Sequence, residues 1–522
     1  MRYAIAVIDI GMTNKKIAVY DDALNQLDAK YRVFEPLMIN GLPCHDLDAM
    51  EEWFIAELKN LAARYPIRAL AVSAHGATFV CVGKDGRNAL PCVYYTYEPG
   101  DDFYRSFYGR FGKPEDLQER TGTPAFRAMI NPAKGLFFAK EQFAAEFKNV
   151  SAALPYPQYW GLRFTGKTGV ESTYIGNHTY LWDQIDNTLS SVARDLGVAP
   201  LIPVSTEDAQ TAEGAKAGGN SSPLRKSWDI LGTITPELAG RTGLPAETIV
   251  TMGIHDSNSA LLPHFAKKGN SGFILNSTGT WCVIMNPATR YGFTREELGK
   301  VVFFNISAFG TPIKTAIFLG GLEYETWSGL IQKQHKRTDT PGWNENLYRS
   351  ILGERRIFLL PEITRGSGQF PNSRARIIKE GKAYYYDDIS ASHSPSFPGY
   401  EESFAALRIS LVMQTLTALE RAGIQKGHEL YTEGGFRRDE AYNRLLASAL
   451  DGNRVFLTDV NEATALGAAM TAKMALSGKT LDDLAGDFEI NYQEQEKGSF
   501  PELKAYRQAW LAEAEKKDCL TG

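Results

Sequence analysis

The sequence predicts a mixed α/β protein of at least two domains, and three observations carry that expectation. The chain has 522 residues, more than a single hydrophobic core ordinarily serves. Short apolar, β-branched runs alternate with longer stretches of helical periodicity, the pattern of helices covering a sheet. Past the middle of the chain the pattern restarts, and each half opens on a strand–turn–strand unit. The restart sets the boundary at about residue 255, giving segments 1–255 and 256–522 and suggesting a duplication, although no literal residue repeat survives.

Residues 3–9, an apolar run closed by Asp9, are too short for a signal-peptide core and are followed by no small-residue cleavage site, so they read as a first strand. Residues 16–20 form the strand after a turn, 47–64 a periodic helix, and 69–73 and 79–82 two further strands. Lys84, Asp85 and Gly86 signal a turn into another strand at 89–95. The Gly-rich residues 213–222 read as a surface loop or linker. In the second segment, 272–276 and 281–285 read as strands and 364–400 as a surface excursion. Small residues within 461–474 (Ala463, Ala465, Gly467, Ala468, Ala469) read as close helix packing, and 500–517 as an amphipathic terminal helix.

Composition narrows the function. A net charge of -5 leaves no basic excess for nucleic acid and no polybasic anchor for a membrane surface. No apolar run approaches the roughly 20 residues of a membrane span. Cys44, Cys81, Cys92, Cys282 and Cys519 are scattered and form no C-x-x-C, and the histidines show no metal spacing. The expectation is a cytoplasmic, reduced protein without a tightly bound transition metal.

The most informative residue is Asp256, between the apolar run 249–254 and a stretch rich in helix formers. A carboxylate there caps the helix, or it serves as a general base kept ionised by the helix dipole. Three turns give it company. In the first, Asp9, Gly11, Thr13, Asn14 and Lys16 lie between two apolar strands. Gly11 lets successive N–H groups converge on a phosphate, and Asp9 could organise Mg²⁺ through water. The second turn, Ser277-Thr278-Gly279-Thr280, sets hydroxyls around one glycine. The third, Gly434-Gly435, offers bare backbone to a flat ligand such as adenine. Each alone also fits an ordinary hairpin or a tight strand–helix turn. Their order, with the carboxylate between phosphate-type turns, points to a cleft holding ATP from one side and an acceptor from the other.

With these motifs the chain resembles the FGGY carbohydrate kinases, nearly end to end from Asp9 to about Met474. The Gly-Met-Thr-Asn turn, the His255-Asp256 pair and the Ser-Thr-Gly-Thr-Trp turn look most like L-fuculokinases and rhamnulokinases. The resemblance implies two actin-like (ribonuclease H-like) α/β domains with an interdomain cleft for ATP and sugar. The N-terminal domain would bind sugar and phosphate, the C-terminal one nucleotide. It implies Asp256 as the base; Gly11, Thr13, Asn14, Lys16, Thr278, Gly279, Thr280, Gly434 and Gly435 toward ATP; and His75, Gly76 and Glu171 toward the sugar. Asp9 would act on Mg²⁺ through water. The implied reaction is ATP-dependent phosphorylation of a ketose hydroxyl. The implied partner is a small sugar, with no nucleic acid and no membrane, and a homodimer is left open.

Four departures from the family pattern stand out, the last two at the acceptor. Met12 replaces a Thr or Ala, Asp439 replaces an Asn, and no carboxylate lies near Thr78. Residues 91–99 read PCVYYTYEP where relatives carry an aromatic-x-Asp-x-Arg pattern, so only Glu98 is charged there. A kinase of another acceptor (a polyol, pentulose or sugar acid) is the alternative, and a non-catalytic binding protein on the same scaffold the third reading.

Overall fold

The computed structural model describes residues 2–204, 224–287, 290–391, 397–460 and 462–516. Two seven-stranded mixed sheets organise it. In the first, β1 (Ala4–Ile10), β2 (Asn14–Asp21) and β3 (Gln26–Val33) form an antiparallel meander, and β4 (Ile67–Ala74) runs parallel to β1 on its other side. β5 (Ile230–Thr233) and β6 (Ile249–Thr251) extend that edge, and β7 (Ile254–His255) lies parallel to the end of β4.

The second sheet contains β8 (Phe273–Thr278), β9 (Cys282–Pro287), β10 (Val302–Ile306), β11 (Pro312–Phe318), β12 (Glu429–Gly434), β13 (Arg454–Thr458) and β14 (Tyr492–Glu494). Its order is β10-β11-β9-β8-β12-β13-β14, with β12 parallel to β8. Each sheet thus opens on a hairpin whose first strand takes a parallel partner on its far side. The repeat is one of topology.

Seven helices are enough to place the layers: α1 (Leu47–Ala62), α2 (Tyr156–Thr165), α3 (Asp256–Lys268), α4 (Gly320–His335), α5 (Tyr400–Arg421), α6 (Glu440–Ala449) and α7 (Ala463–Ser477). Alternate side chains of β1 go to opposite faces. Ala4, Ala6 and Ile8 join Phe54 of α1 and Trp160 of α2, whereas Ile5 and Val7 join Leu261 of α3 and Ala468 of α7. Leu275, Tyr431 and Phe456 of the second sheet complete that second cluster, so α3 and α7 lie between the sheets. The outer face of the second sheet packs on α4, α5 and α6 through Trp327, Phe404 and Leu445. With both faces covered, the central strands read as continuous apolar runs. The small residues near Gly467 do allow close packing: a Cβ there would lie 1.9 Å from the Ser259 carbonyl oxygen of α3.

Two expectations need correction. Residues 89–95 form no strand and carry one isolated bridge, Cys44–Val93, with a second, Val82–Asn88, just before them. Pro91 has no N–H to continue a ladder, and Tyr97 N turns back to Tyr94 O at 3.0 Å. Residues 364–400 are also more than a surface excursion. Arg376–Lys379 pairs with both Ile357–Leu360 and Lys382–Tyr385, and Phe370 and Ile377 are buried. The Gly-rich 213–222 segment lies outside the described residues. Among the described residues no helix is long and apolar enough to cross a membrane.

Candidate active site

The carboxyl ends of parallel strands meet at one edge of the first sheet, the usual place for a ligand in such sheets. Asp9 pairs with Ser73 and Ala74 pairs with His255, so Asp9, His75 and Asp256 emerge together. Asp256 is the first residue of α3. The capping position belongs to His255, whose side chain accepts from Ser257 N, and Asp256 shares that donor. Its Oδ1 accepts from Ser257 N at 2.6 Å and from Ser257 Oγ at 3.2 Å. The side chain is 29% exposed and opens on a cavity of about 210 Å³. Burial pushes its carboxyl up to about 7, helped by the charge of Asp9 and opposed by the Ser257 bonds.

This cavity has an apolar wall of Tyr95, Phe126, Ile130, Trp281, Phe303 and Ile317, with Asn177, Asn305 and three imidazoles as its polar groups. His75 Nδ1 lies 2.7 Å from Gly76 O, and His178 Nδ1 lies 2.9 Å from Ile130 O. A carbonyl only accepts, so each Nδ1 carries the proton and each Nε2 keeps a lone pair. Burial lowers both imidazoles to about 4, which keeps them neutral. Gly76 makes the crowding feasible, because a Cβ there would stand 2.6 Å from His255 Nε2 and 2.7 Å from His178 Nε2. Among the described residues no lysine or arginine lines the cavity.

Asp9 and Lys16 are direct partners in the β1–β2 register and so share a face, the one covered by α7. Lys16 Nζ lies 3.0 Å from Asp9 Oδ2 and pairs also with Glu462, while Thr464 Oγ1 donates to Asp9 Oδ2 at 2.6 Å. Lys16 is thus occupied as a buried tie between the two segments, a different place from the free phosphate cation expected of it. Asp9 Oδ1 accepts no hydrogen bond from any described group. Thr13 and Asn14 are exposed, and Gly11 is half-buried. Lys15 is fully buried on the opposite face of β2, where Nζ donates to Met12 O at 2.7 Å and burial lowers its ammonium to about 8.

A second cavity, of about 630 Å³, is lined by Thr278, Gly279, Thr280 and Gly435 together with Gly321, Tyr324, Trp343 and Arg408. The turn between β8 and β9 separates the cavities: Thr280 faces the larger and Trp281 the smaller. Thr278 is less available than its hydroxyl suggests, since Oγ1 donates to Glu433 O and accepts from Phe436 N at 2.9 Å. Gly434 has φ +80° and does not line the cavity; its role is the backbone turn.

Glu171 does not reach the acceptor cavity. Fully buried, it accepts from the N–H groups of Thr173 and Tyr174 and from the hydroxyls of Thr173 and Ser227, all at 2.8–2.9 Å. It caps the turn whose Thr173 Oγ1 in turn accepts from His255 N at 3.0 Å. Glu98 also points elsewhere, bonding Tyr104, Gly100 N and Ala128 N. Tyr95 is the residue that 91–99 sends to the cavity. Sequence reading passed over Asn177, His178, Gly321, Trp343 and Arg408. The adjacent Asn177-His178 pair and the lone Arg408 within an apolar helical run were the available signals.

Residues 270–480 match the family model for the carbohydrate kinase FGGY C-terminal domain. No curated protein matches the chain. Among solved structures, a carbohydrate kinase from Novosphingobium aromaticivorans is 25% identical, with TM-score 0.76 over 98% of this chain and 99% of its own. A gluconate kinase from Lactobacillus acidophilus is 15% identical, with TM-score 0.76 over 98% and 97%. A xylulose kinase from the same organism is 15% identical, with TM-score 0.75 over the same shares. The two-sheet architecture is the actin-like, ribonuclease H-like fold of these structures.

Proposed function

We propose that this chain, a carbohydrate kinase whose residues 270–480 match the FGGY C-terminal domain, transfers the γ-phosphoryl group of ATP to a hydroxyl of an uncharged ketose, with Asp256 as general base. One observation carries this reading. Asp256 opens on the 210 Å³ cavity, and one turn contributes to both cavities, Trp281 lining this one and Thr278, Gly279 and Thr280 the 630 Å³ one. Asp256 takes the proton of the acceptor hydroxyl as its oxygen bonds to phosphorus and the bond to ADP breaks. Gly11, Thr13, Asn14, Gly279 and Thr280 meet the phosphates at the cleft, and Gly435 meets the adenosine. Asp9, whose charge reaches Asp256 and whose Oδ1 takes no hydrogen bond from a described group, suits a hydrated Mg²⁺, which supplies charge neutralisation on the phosphates when bound. The same reading gives a cytoplasmic enzyme.

The acceptor class follows from the wall. Bare Nε2 atoms on His75 and His178 accept from hydroxyl groups and repel a carboxylate, and among the described residues no lysine or arginine lines the cavity to balance one. The aromatic and aliphatic side fits a deoxy or methyl face. The resemblance of its turns to those of rhamnulokinases and fuculokinases favours a deoxy-ketose, while the absence of the acid and Arg after Tyr95, where Thr96 and Tyr97 supply neither, disfavours L-rhamnulose and L-fuculose themselves. A coupled ADP-release assay over ketoses, polyols and sugar acids tests this. An uncharged ketose is expected first and the sugar acids last; a sugar acid in first place overturns the reading.

The pH profile gives an independent check. Asp256 works ionised, and its carboxyl stands at about 7. Below about pH 7, kcat/KM is therefore expected to fall about tenfold per pH unit. A profile flat down to pH 5 would remove Asp256 from the role of base.

A further inference from the structure

Two side-chain polar atoms of the acceptor cavity's lining are buried without a hydrogen-bond partner among the described residues: His75 Nε2 and Asn305 Oδ1. His75 belongs to the first segment and already has a use as a hydroxyl acceptor. Asn305 comes from the second segment, on β10. Strand alternation puts it on the same face as Phe303, and the register of β10, β11 and β9 adds Ile317 and Val283 to that face; all four line the cavity. The amide is oriented from the side. Asn305 Nδ2 lies 3.2 Å from Thr315 Oγ1, whose own hydrogen goes to Ile313 O at 3.4 Å. A hydroxyl that has given up its hydrogen accepts, so the NH₂ group faces Thr315 and Oδ1 is left over. Asn305 is 1% exposed, and an amide oxygen buried without a donor weakens the fold. In a wall of Phe, Ile and Val an aliphatic residue would avoid that cost.

We propose that Asn305 is a specificity-determining residue of the acceptor site: its Oδ1 accepts from one hydroxyl of the sugar while His75 Nε2 accepts from another, so that the sugar ties the two segments together. This rests on the reading of the cavity as the acceptor site of a kinase and deepens it. Asp256 works ionised and takes the hydrogen of the reacting hydroxyl, and His75 and Asn305 offer acceptors alone. The ligand must therefore bring an O–H donor to each of them, which a polyhydroxylated ketose does and a carboxylate or keto oxygen does not. A sugar lacking the hydroxyl at Asn305 leaves Oδ1 buried and unpaired, and a site built to bond a hydroxyl rejects such an analogue more strongly than one that merely loses an apolar contact. The second segment thus reads the sugar as well as closing over it.

Asn305→Leu is close to isosteric and removes the acceptor. The probes are the ketose that most raises the thermal melt of the full chain and the monodeoxy analogues of that ketose, with affinity read by calorimetry without ATP. In the unmodified protein one analogue is expected to bind about 10–100-fold more weakly than its parent through the unpaired oxygen. In Asn305→Leu the parent sugar is expected to fall by a similar factor, and its advantage over that analogue to disappear. The acceptor KM rises accordingly, with little change in kcat. The ligand-free melt is expected unchanged or higher, because a buried unpaired oxygen is gone. Asn305→Ala gives the same affinity readout without any risk of overpacking. Undiminished affinity for the parent sugar in both variants overturns the proposal, as does a loss shared equally by the parent and every analogue. Sugar binding that couples to Asn305 without ADP release would sink the kinase reading and leave the contact standing. ADP release with an unchanged acceptor KM in both variants would do the reverse.

Discussion

Asp256→Asn is expected to give a folded, ATP-binding protein whose turnover is at least about a hundredfold lower, the lower end of what general-base catalysis ordinarily contributes. The amide oxygen of Asn can still accept from Ser257 N, the bond that Asp256 Oδ1 makes at 2.6 Å, and the capping position belongs to His255, so the start of α3 is preserved. Stability responds with a definite sign. The Asp256 carboxyl is held at about 7, above the ordinary aspartate value, so the folded protein binds this proton more tightly than the unfolded chain. Between about pH 4 and pH 7 its ionisation therefore opposes folding, and above pH 7 the full penalty is present. Asn removes the charge, so the melt at pH 8 is expected unchanged or slightly higher. Thermal melts with and without ATP-Mg²⁺, run beside the ADP assay, check this. Near-normal turnover would return Asp256 to a structural role, and a collapse of the melt would show that its carboxylate holds the fold.

Most of the scaffold was legible because strand period and turn chemistry act locally. Residues 3–9 and 16–20 announced the first hairpin, and the small residues around Gly467 announced a close helix contact; both rest on neighbours in sequence or on side-chain size alone. Residues 89–95 misled because an apolar run with Tyr and Val has strand character, while the single Pro91 interrupts the ladder. Residues 364–400 misled in the other direction, a polar segment concealing the short β-branched pair Ile377-Ile378 that enters the core.

The site was legible in part for a related reason. Motif matching names residue types at positions, and what a side chain does depends on partners that arrive from elsewhere. Lys16 matches a phosphate motif, yet Glu462, hundreds of residues away, claims its ammonium together with Asp9. Glu171 matches a sugar motif, yet four donors from its own turn and from Ser227 use up its oxygens. Asn177 matched nothing, because its task is defined only by the His178 N–H on one side and the His255 ring on the other.

The adjacent glycines Gly434 and Gly435 illustrate the same point and are expected to fail in opposite ways. Gly434 has φ +80°, and a Cβ there would lie 1.9 Å from the Thr278 carbonyl oxygen on the paired strand β8. Gly434→Ala therefore meets left-handed strain and an overlap with backbone that has no flexible side chain to yield, together about 2–4 kcal/mol. A lowered unfolding midpoint is expected, with ATP binding lost as a consequence. Gly435 is outside the left-handed region, and the nearest atom to its added Cβ is Thr278 O at 3.8 Å, an ordinary contact. Its side-chain position opens on the 630 Å³ cavity instead. Gly435→Val should fold with a melt close to the parent, while the branched side chain occupies space needed by a flat base. ATP affinity by calorimetry is expected to fall at least about tenfold, or 1.4 kcal/mol. Unchanged affinity in Gly435→Val, with the fold intact, would move the adenosine out of this cavity and leave the glycine pair as a turn between a strand and a helix.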